Sequence, residues 1–326
     1  MKHPVNTLSL VADIGGTNTR CALAHGRQVL TETIRRYSNS EYTGLESVLR
    51  QYLRDEGNVD PVAACVAVAG PVRDGCGKLT NLDWQIDEAT LRQATKAETV
   101  SILNDLQAQG FAIGNLTDDA VRPILTGTGR EAPKDAARLV VGVGTGFNAA
   151  PVFETPNGKI VPASESGHMD LPVHGALENR LSKYIEKSQG FAAVEDVLSG
   201  RGLERVYDFL GEEAGDPVAA SARHIMDACN SGDNERATTA AAIFAKMLGK
   251  VCGNLSLVQL PFGGVYLVGG VARAMAPHLL KLGFAESFTA KGRFSDFMSN
   301  FPVFVVEDDY AALLGSASYL DHLMHA

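Results

Sequence analysis

Three short turns rich in glycine are the stretches of this sequence best suited to bind a charged ligand. Each follows an apolar run, and they are Gly15-Gly16-Thr17-Asn18, Gly144-Thr145-Gly146 and Gly269-Gly270. Such a turn exposes backbone N–H groups, and a hydroxyl or amide side chain adds a further donor, so it is suited to phosphate oxygens. One such turn alone is also typical of an ordinary hairpin or loop. Three in one chain favour a site for a polyphosphate and its nucleoside.

An acid stands directly before the first turn. Asp13 follows an apolar run, where a carboxylate loses hydration energy unless a cation pairs with it. Beside a phosphate turn, this carboxylate is placed to face the magnesium ion that accompanies a nucleotide, either directly or through water. The sequence has no GxxxxGK[ST] motif and no well-placed GxGxxG with a downstream acid. These absences exclude a P-loop site and argue against a dinucleotide fold.

A second group of polar residues lies in the stretch SILNDLQAQG, at Asn104 and Asp105. Both follow a predicted strand and precede a predicted helix. Asp105 is suited either to cap that helix or to accept a proton from an attacking hydroxyl as a general base. Asn104 beside it can both donate a hydrogen bond to a second hydroxyl and accept one from it.

A third group lies in ASESGHMDL, where Glu165, His168 and Asp170 stand among small residues. A structural zinc site would need further Cys or His ligands at close spacing, and none follow. An acid and an imidazole among small residues fit a polyhydroxylated ligand better. Glu195, in FAAVEDVLSG, is the least specific candidate, because acids are common in the first turn of a helix.

The elements that must position these residues alternate between strands and helices, which predicts an α/β fold with a largely buried sheet. Apolar runs predict strands at 8–14, 19–24 and 99–103, and helical spacing predicts helices near 45–53, 87–96 and 310–324. Residues 172–260 are predicted to be mostly helical. The strand, turn and strand around Gly15 recur around Gly144, which indicates, over a short stretch, two related halves.

The whole-chain composition limits the class of partner. The 326 residues carry a formal net charge of −9 and are 45% hydrophobic, as in an ordinary globular protein. This charge argues against nucleic acid, whose phosphates need a basic surface. The five cysteines are scattered without a CxxC pair, and the N-terminus is unlike a signal peptide, which predicts a cytoplasmic protein. No apolar run reaches about 18 residues, which predicts that the chain does not span a membrane.

Taken in order, these stretches resemble the bacterial glucokinase family, within the hexokinase, actin and Hsp70 superfamily. The resemblance runs from DIGGTNTR through CVAVAGPV, TNLDW, LNDLQA, GVGTG, ESGHMD, EDVLSG and GGVYLVGGVA to KGRF and LLGSASYL, which is nearly the whole chain. It implies a two-lobed, actin-like (ribonuclease H-like) α/β fold with a ligand cleft between the lobes. We expect a small lobe at residues 1–107 with 308–326, and a large lobe with a helical insertion at 108–307.

The activity that the resemblance implies is ATP-dependent phosphorylation of the 6-hydroxyl of glucose, the first step of glycolysis, by a homodimer. It places Asp13 beside Mg²⁺ and assigns ATP to the three turns, with Gly16, Thr17 and Thr145 around the phosphates and Gly269 and Gly270 against the adenosine. It assigns the sugar to Asn104, Asp105, Glu165, His168 and Glu195, with Asp105 as the catalytic base.

Two stretches depart from the family pattern. Glucokinases often read GTGLG where this chain has Asn148 in the last position, so its side chain is expected to crowd the second turn. EDDYAALLG stands where the family often has Asn-Pro-Gly before Leu-Leu-Gly. Both departures bear on nucleotide affinity. The cysteine-rich zinc motif of the related ROK sugar kinases is absent, which leaves His168 free for the sugar.

Two other functions remain open. A kinase for another hexose, such as mannose, fructose or an N-acetylated sugar, would differ in the shape of its pocket around the 2-position, which a sequence fixes poorly. A non-catalytic sugar sensor would carry an N-terminal helix-turn-helix or lack the catalytic acid. This sequence instead opens on a predicted strand and keeps Asp105.

Overall fold

The chain divides into two units in the computed structural model, which describes residues 7–79, 84–128 and 132–325. Unit 1 comprises Met1–Thr117, Thr155–Ala163 and Asp308–Ala326, and unit 2 comprises Asp118–Glu154 and Ser164–Glu307. The expected boundary after residue 107 falls inside the helix Asp105–Ala112, and unit 1 continues to Thr117. Unit 1 also includes Thr155–Ala163, which was expected in the large lobe. Of the TNLDW stretch, the first four residues lie outside the described residues.

Strands among the described residues form three sheets. The strands are β1 (Leu8–Ile14), β2 (Asn18–His25), β3 (Gln28–Val29), β4 (Arg35–Ser38), β5 (Ala63–Val68), β6 (Val72–Arg73), β7 (Cys76–Lys78), β8 (Gln85–Asp87), β9 (Thr99–Asn104), β10 (Val121–Leu125), β11 (Arg138–Val143), β12 (Phe147–Thr155), β13 (Gly158–Ile160), β14 (Val265–Val268) and β15 (Val303–Val306). The first sheet has the order β3-β2-β1-β5-β9, with β4 also paired to β2. The second has the order β10-β15-β14-β11-β12-β13, and the small third sheet is β6-β7-β8.

Helices connect and cover these strands. They are α1 (Leu45–Asp55), α2 (Glu88–Thr95), α3 (Asp105–Ala112), α4 (Ala176–Gln189), α5 (Gly200–Glu213), α6 (Ala222–Ser231), α7 (Glu235–Gln259), α8 (Gly270–Met275), α9 (Phe284–Thr289), α10 (Ser295–Met298) and α11 (Ala311–His325). The mostly helical stretch predicted at 172–260 corresponds to α4 through α7. The predicted strands and helices around the candidate residues are therefore confirmed.

The two larger sheets share one arrangement. In the first, β1 pairs antiparallel with β2 and parallel with β5, and β5 pairs parallel with β9. In the second, β11 pairs antiparallel with β12 and parallel with β14, and β14 pairs parallel with β15. The recurrence of strand, turn and strand therefore extends to two further strands in each sheet, as expected of two related halves.

Apolar packing fixes the sheet of unit 1. Every residue of β5 is buried, as expected of a central parallel strand that is covered on both faces. Helix α1 buries one face, with Leu45, Val48, Leu49 and Tyr52 in the core. Helix α11 approaches α3 so closely that a Cβ on Gly315 would lie 1.7 Å from the carbonyl oxygen of Ala108. Glycine at this position therefore allows the close packing of α11 on the helix that begins at Asp105.

Helix α7 is the longest helix of the described chain and runs through the core of unit 2. Its length and mean hydropathy alone would permit a membrane span, and it is the one such helix among the described residues. However, 61% of its most apolar window is buried inside the protein. A helix that is covered in this way has the character of a core helix, which accounts for its composition.

Candidate active site

The first glycine turn joins β1 to β2 and is fixed by a residue that the sequence analysis missed. Asn39 is 2% exposed, and its Nδ2 donates to the carbonyl of Gly15 at 2.8 Å. Its backbone N–H donates to the carbonyl of Thr17 at 2.9 Å, and its Oδ1 accepts from the hydroxyl of Thr19 at 2.8 Å. The turn is therefore held from one side while Thr17 stays exposed. No local pattern around Asn39 predicts this role, because the turn lies 24 residues away.

Asp13 lies near the end of β1, with its side chain 20% exposed, and forms an ion pair with Arg20 at 3.6 Å. Burial raises the pKa of the Asp13 carboxyl, and the nearby Arg20 guanidinium offsets this rise only in part. The folded protein thus pays a desolvation cost for the Asp13 charge at neutral pH. A divalent cation at this carboxylate would reduce that cost, so the chemistry of Asp13 fits a magnesium ion.

Asn104 and Asp105 lie at the same edge of the sheet as Asp13. The register aligns Ile14 of β1 with Val68 of β5, and Val68 with Asn104 of β9. Since neighbouring strands lie about 4.8 Å apart, the ends of β1 and β9 are separated by roughly 10 Å. The structure thus brings the first turn and the Asn104-Asp105 pair to one edge, as the carboxyl ends of parallel strands require.

The two residues divide the roles that the sequence left open. Asn104 caps α3: its Oδ1 accepts from the N–H of Leu106 at 3.0 Å, while Gln107 reaches back to the Asn104 N–H at 3.2 Å. Its Nδ2 donates to the carbonyl of Gly70 at 2.9 Å. Asp105 is the first residue of the helix rather than its cap, so the capping interpretation of Asp105 is wrong. Its Oδ1 accepts from the N–H of Leu106 at 2.8 Å.

The second glycine turn joins β11 to β12 and meets Glu195. The Oε2 atom of Glu195 accepts from the N–H of Phe147 at 2.9 Å. A Cβ on Gly146 would lie 2.5 Å from that oxygen, so glycine leaves room for the carboxylate. The N–H of Gly200, at the start of α5, donates to the carbonyl of Gly144 at 2.9 Å. Glu195, the least specific candidate in the sequence, is therefore in contact with the turn that carries Thr145.

The third turn lies beside the second. Strands β11 and β14 are parallel neighbours with Gly142 opposite Val268, so the residues that follow each strand lie side by side. Gly269 has a φ of +104°, and a Cβ there would lie 2.5 Å from the carbonyl oxygen of Val143. Gly270 is exposed and begins α8. The structure therefore brings the second and third turns together.

Glu165 directly precedes a short 3₁₀ helix, Ser166–His168, and His168 is its last residue; both Glu165 and His168 are exposed. A Cβ on Gly167 would lie 2.2 Å from the carbonyl oxygen of Phe147 and 3.4 Å from Cβ of Glu195. Backbone hydrogen bonds from Leu171 to Ala192 and from Val194 to Met169, at 3.0 Å each, join the flanking segments. Glu165, His168 and Glu195 thus belong to one cluster around the second turn.

The side chain of Asn148 binds the segment that carries Glu165. Its Oδ1 accepts from the N–H of Ser166 at 3.0 Å and from the N–H of Ala149 at 2.8 Å, and its Nδ2 donates to the carbonyl of Ser164. The sequence analysis predicted that this side chain would crowd the phosphate turn. Asn148 is instead directed to the 164–166 segment, and nothing in the local sequence indicates a partner there.

Among the residues that the structure describes, no group of three or more His, Cys, Asp or Glu side chains has the arrangement of a metal site. The five cysteines are all free thiols, and four of them are buried. A single carboxylate such as Asp13 remains compatible with magnesium, which proteins often bind through one or two carboxylates together with substrate phosphates.

Comparison with known proteins decides the family. The family model described as Glucokinase matches residues 10–323. The chain belongs to the glucokinase family. A glucokinase of Photorhabdus laumondii is 30% identical over 322 residues, which cover 97% of this chain and 98% of the relative. The glucokinase family member from an Antarctic psychrotroph, known from its crystal structure, has a TM-score of 0.84 and 31% identity and covers 96% of this chain and 98% of its own.

A more distant structure extends the likeness of fold. The ROK family glucokinase from Streptomyces griseus, solved in complex with glucose and AMPPNP, has a TM-score of 0.66 and 18% identity. It covers 96% of this chain and 98% of its own length. The predicted α/β, two-lobed, actin-like fold class is confirmed by these structural neighbours and by the division of the chain into two units.

Proposed function

We propose that this protein transfers the γ-phosphoryl group of ATP to the 6-hydroxyl of glucose. Membership of the glucokinase family over residues 10–323 supports this function. The observation that carries it is the shared sheet edge of the Asp13 turn and the Asn104-Asp105 pair. That edge offers donors for a phosphate at the end of β1 and a carboxylate for a hydroxyl at the end of β9, roughly 10 Å away. The complex of glucose and AMPPNP, an analogue of ATP, in the Streptomyces griseus protein agrees with this pair of substrates.

Asp105 is the proposed general base. Its carboxylate takes the proton of the 6-hydroxyl, whose oxygen then bonds to the γ-phosphorus while the bond from that phosphorus to the bridging oxygen of ATP breaks. ADP leaves with the electrons of the broken bond. In phosphoryl transfer such a carboxylate chiefly orients the nucleophile. Because Asn104 caps α3, the Asp105 carboxylate is not required as the helix cap.

The remaining sugar ligands in the proposal are Asn104, Glu165, His168 and Glu195. Glu195 uses Oε2 for the N–H of Phe147, and its second oxygen can accept from a sugar hydroxyl. Glu165 and His168 are exposed, and the two residues between them, Ser166 and Gly167, are buried, so the polar atoms of Glu165 and His168 are presented from an anchored backbone. The carboxylates of Glu165 and Glu195 are charged acceptors, which make stronger hydrogen bonds to hydroxyls than neutral groups do.

The nucleotide is proposed to lie on the three turns. Gly15, Gly16, Thr17 and Asn18 of the first turn and Gly144, Thr145 and Gly146 of the second would bind phosphate oxygens, and Gly269 and Gly270 would bind the adenosine. Asn18 Nδ2 donates to Oγ1 of Thr17 at 2.8 Å, which leaves the Thr17 hydroxyl proton available for a phosphate. Asp13 would hold Mg²⁺, directly or through water, and the ion would neutralise charge on the phosphates.

The same proposal covers the setting of the enzyme. Its product, glucose 6-phosphate, fits a first step of glycolysis, and five free cysteines fit a cytoplasmic location. We also propose a homodimer. A non-catalytic sensor is not favoured, because Asp105 stands in place at the sheet edge. The alternative that the test must distinguish is a kinase for another hexose.

The test is a coupled kinase assay with ATP and Mg²⁺ over glucose, mannose, fructose and N-acetylglucosamine. We expect the highest kcat/KM for glucose and no turnover after chelation of divalent cations. The variant Asp105→Asn serves as the catalytic control. If another hexose has a higher kcat/KM than glucose, that hexose is the substrate instead. If the protein phosphorylates none of the four sugars, the proposed function is refuted.

A further inference from the structure

We propose that Asn148 is a positioning residue that holds Glu165 in place, so that it sets the affinity for the sugar rather than for ATP. This inference rests on the proposed function, because it adds a residue to the same sugar site. It is carried by the hydrogen bonds of one half-buried amide. Asn148 touches neither substrate in this proposal and acts through the segment that carries Glu165.

The amide of Asn148 binds the backbone on both sides of Glu165. Its Nδ2 donates to the carbonyl of Ser164, and its Oδ1 accepts from the N–H of Ser166 at 3.0 Å. The hydroxyl of Ser166 donates to the same Oδ1 at 3.1 Å. Ser166 is buried and Glu165 is exposed. The backbone of Glu165 is thus fixed at both neighbours while its carboxylate remains available to a ligand.

An amide is the side chain that this position requires. The 164–166 segment presents a carbonyl and an N–H, which are the groups that a neighbouring strand would pair with. One side chain satisfies both only if it has a donor and an acceptor on the same short stem. Glycine at 148 would supply neither group. Aspartate would keep the acceptor but would turn a second oxygen toward the carbonyl of Ser164.

The hydrogen bonds of the phosphate turn do not depend on Asn148. Gly144 and Gly146 are joined by a backbone hydrogen bond of 2.9 Å, and Gly200 donates to the carbonyl of Gly144. The segment after Glu165, in contrast, lies against the carbonyl of Phe147 through Gly167. Loss of the Asn148 bonds therefore loosens the segment that carries Glu165 and His168 and leaves the turn in place.

The experiment compares Asn148→Ala and Asn148→Asp with Asn234→Ala in steady-state assays of the full chain. Asn234 is a matched control: it is also half-buried in unit 2, its Oδ1 accepts from Ala237 N–H at 2.9 Å, and its Nδ2 donates to the Tyr207 hydroxyl at 3.4 Å. For Asn148→Ala we expect the KM for glucose to rise by about 10- to 100-fold, since a displacement of about 1 Å has effects of that size.

The KM for ATP should change by less than about twofold in the same variant, which separates positioning of the sugar from a general loss of structure. Asn148→Asp should resemble Asn148→Ala, because it lacks the donor. Asn234→Ala should lower the melting temperature and leave both KM values unchanged. Equal changes in both KM values, a change for ATP alone, or full activity of Asn148→Ala would each overturn the proposal.

A second readout requires no substrate. Hydrogen exchange of the peptide that spans residues 164–169 should accelerate in Asn148→Ala, because the N–H of Ser166 loses its acceptor, and should be unchanged in Asn234→Ala. Unchanged exchange in Asn148→Ala would overturn the proposal. If the wild type phosphorylates no glucose, the proposed function fails, and this measurement still decides whether Asn148 holds the segment.

Discussion

Replacement of Asp105 by Asn tests the catalytic role with little change in shape. The Asp105 Oδ1 atom accepts from the N–H of Leu106 at 2.8 Å, and an amide oxygen can accept the same bond. Helix α3 is capped by Asn104 and Gln107, so its start does not depend on the charge of residue 105. We therefore expect Asp105→Asn to fold with a stability close to that of the wild type.

The same variant removes the group that accepts the proton of the 6-hydroxyl. A positioned general base supplies a factor of about 10² to 10⁴ in rate. This range corresponds to roughly 2.7 to 5.5 kcal/mol of activation free energy. We expect kcat to decrease by a factor in this range of about 10² to 10⁴. Glucose binding, measured by calorimetry without ATP, should change little, because an amide still forms hydrogen bonds to a hydroxyl.

Asp87→Asn is the matched control for loss of one carboxylate charge. Asp87 caps α2 and accepts from the N–H of Thr90 at 2.7 Å, and this backbone bond lowers the pKa of Asp87. A carboxyl pKa that is lowered in the folded state stabilises that state at any pH above the pKa of the same carboxyl in the unfolded chain. This stabilisation is lost as the pH falls through the lowered pKa. Asp87→Asn should therefore unfold at lower urea at neutral pH with kcat unchanged. If Asp105→Asn keeps more than about a tenth of wild-type kcat, the assignment of the base is refuted.

Three further variants test the residues around the turns. Asp13→Asn should raise the melting temperature of the protein in chelator at neutral pH, because burial raises the pKa of Asp13 and stability is lost as pH rises through that pKa. The same variant should abolish Mg²⁺-dependent turnover, and an unchanged magnesium requirement would remove Asp13 from the proposed site. Asn39→Ala should lower the free energy of unfolding by roughly 1 to 3 kcal/mol, measured by urea denaturation, and raise the KM for ATP, because the partly buried carbonyl of Gly15 loses its partner. An unaltered KM for ATP would mean that the turn does not bind the nucleotide. Gly146→Ala should raise the KM for glucose, since the Cβ of the new alanine would lie 2.5 Å from the Oε2 of Glu195 and displace that carboxylate. If the variant keeps the wild-type KM for glucose, Glu195 is excluded as a sugar ligand.

The alternation of strands and helices, the three turns and the acids next to them were predictable because they are local. A strand is signalled by its own apolar run, and a glycine turn by the residues within it. The resemblance to glucokinases rests on the same local stretches in the same order. For this reason the α/β fold, the family and the candidate residues all follow from the sequence before any contact is known.

Which distant residues meet was decided by the tertiary structure. The sequence cannot show that β5 lies between β1 and β9, although this order brings Asp13 and Asn104 to one edge. Glu195 gained its contact with Phe147 across 48 residues, and Asn39 reached the first turn across 24. Asn148, an apparent obstacle in the sequence, was directed to Ser164 and Ser166. A polar side chain can form hydrogen bonds in many settings, and only the packing of the chain around it determines which partner it has.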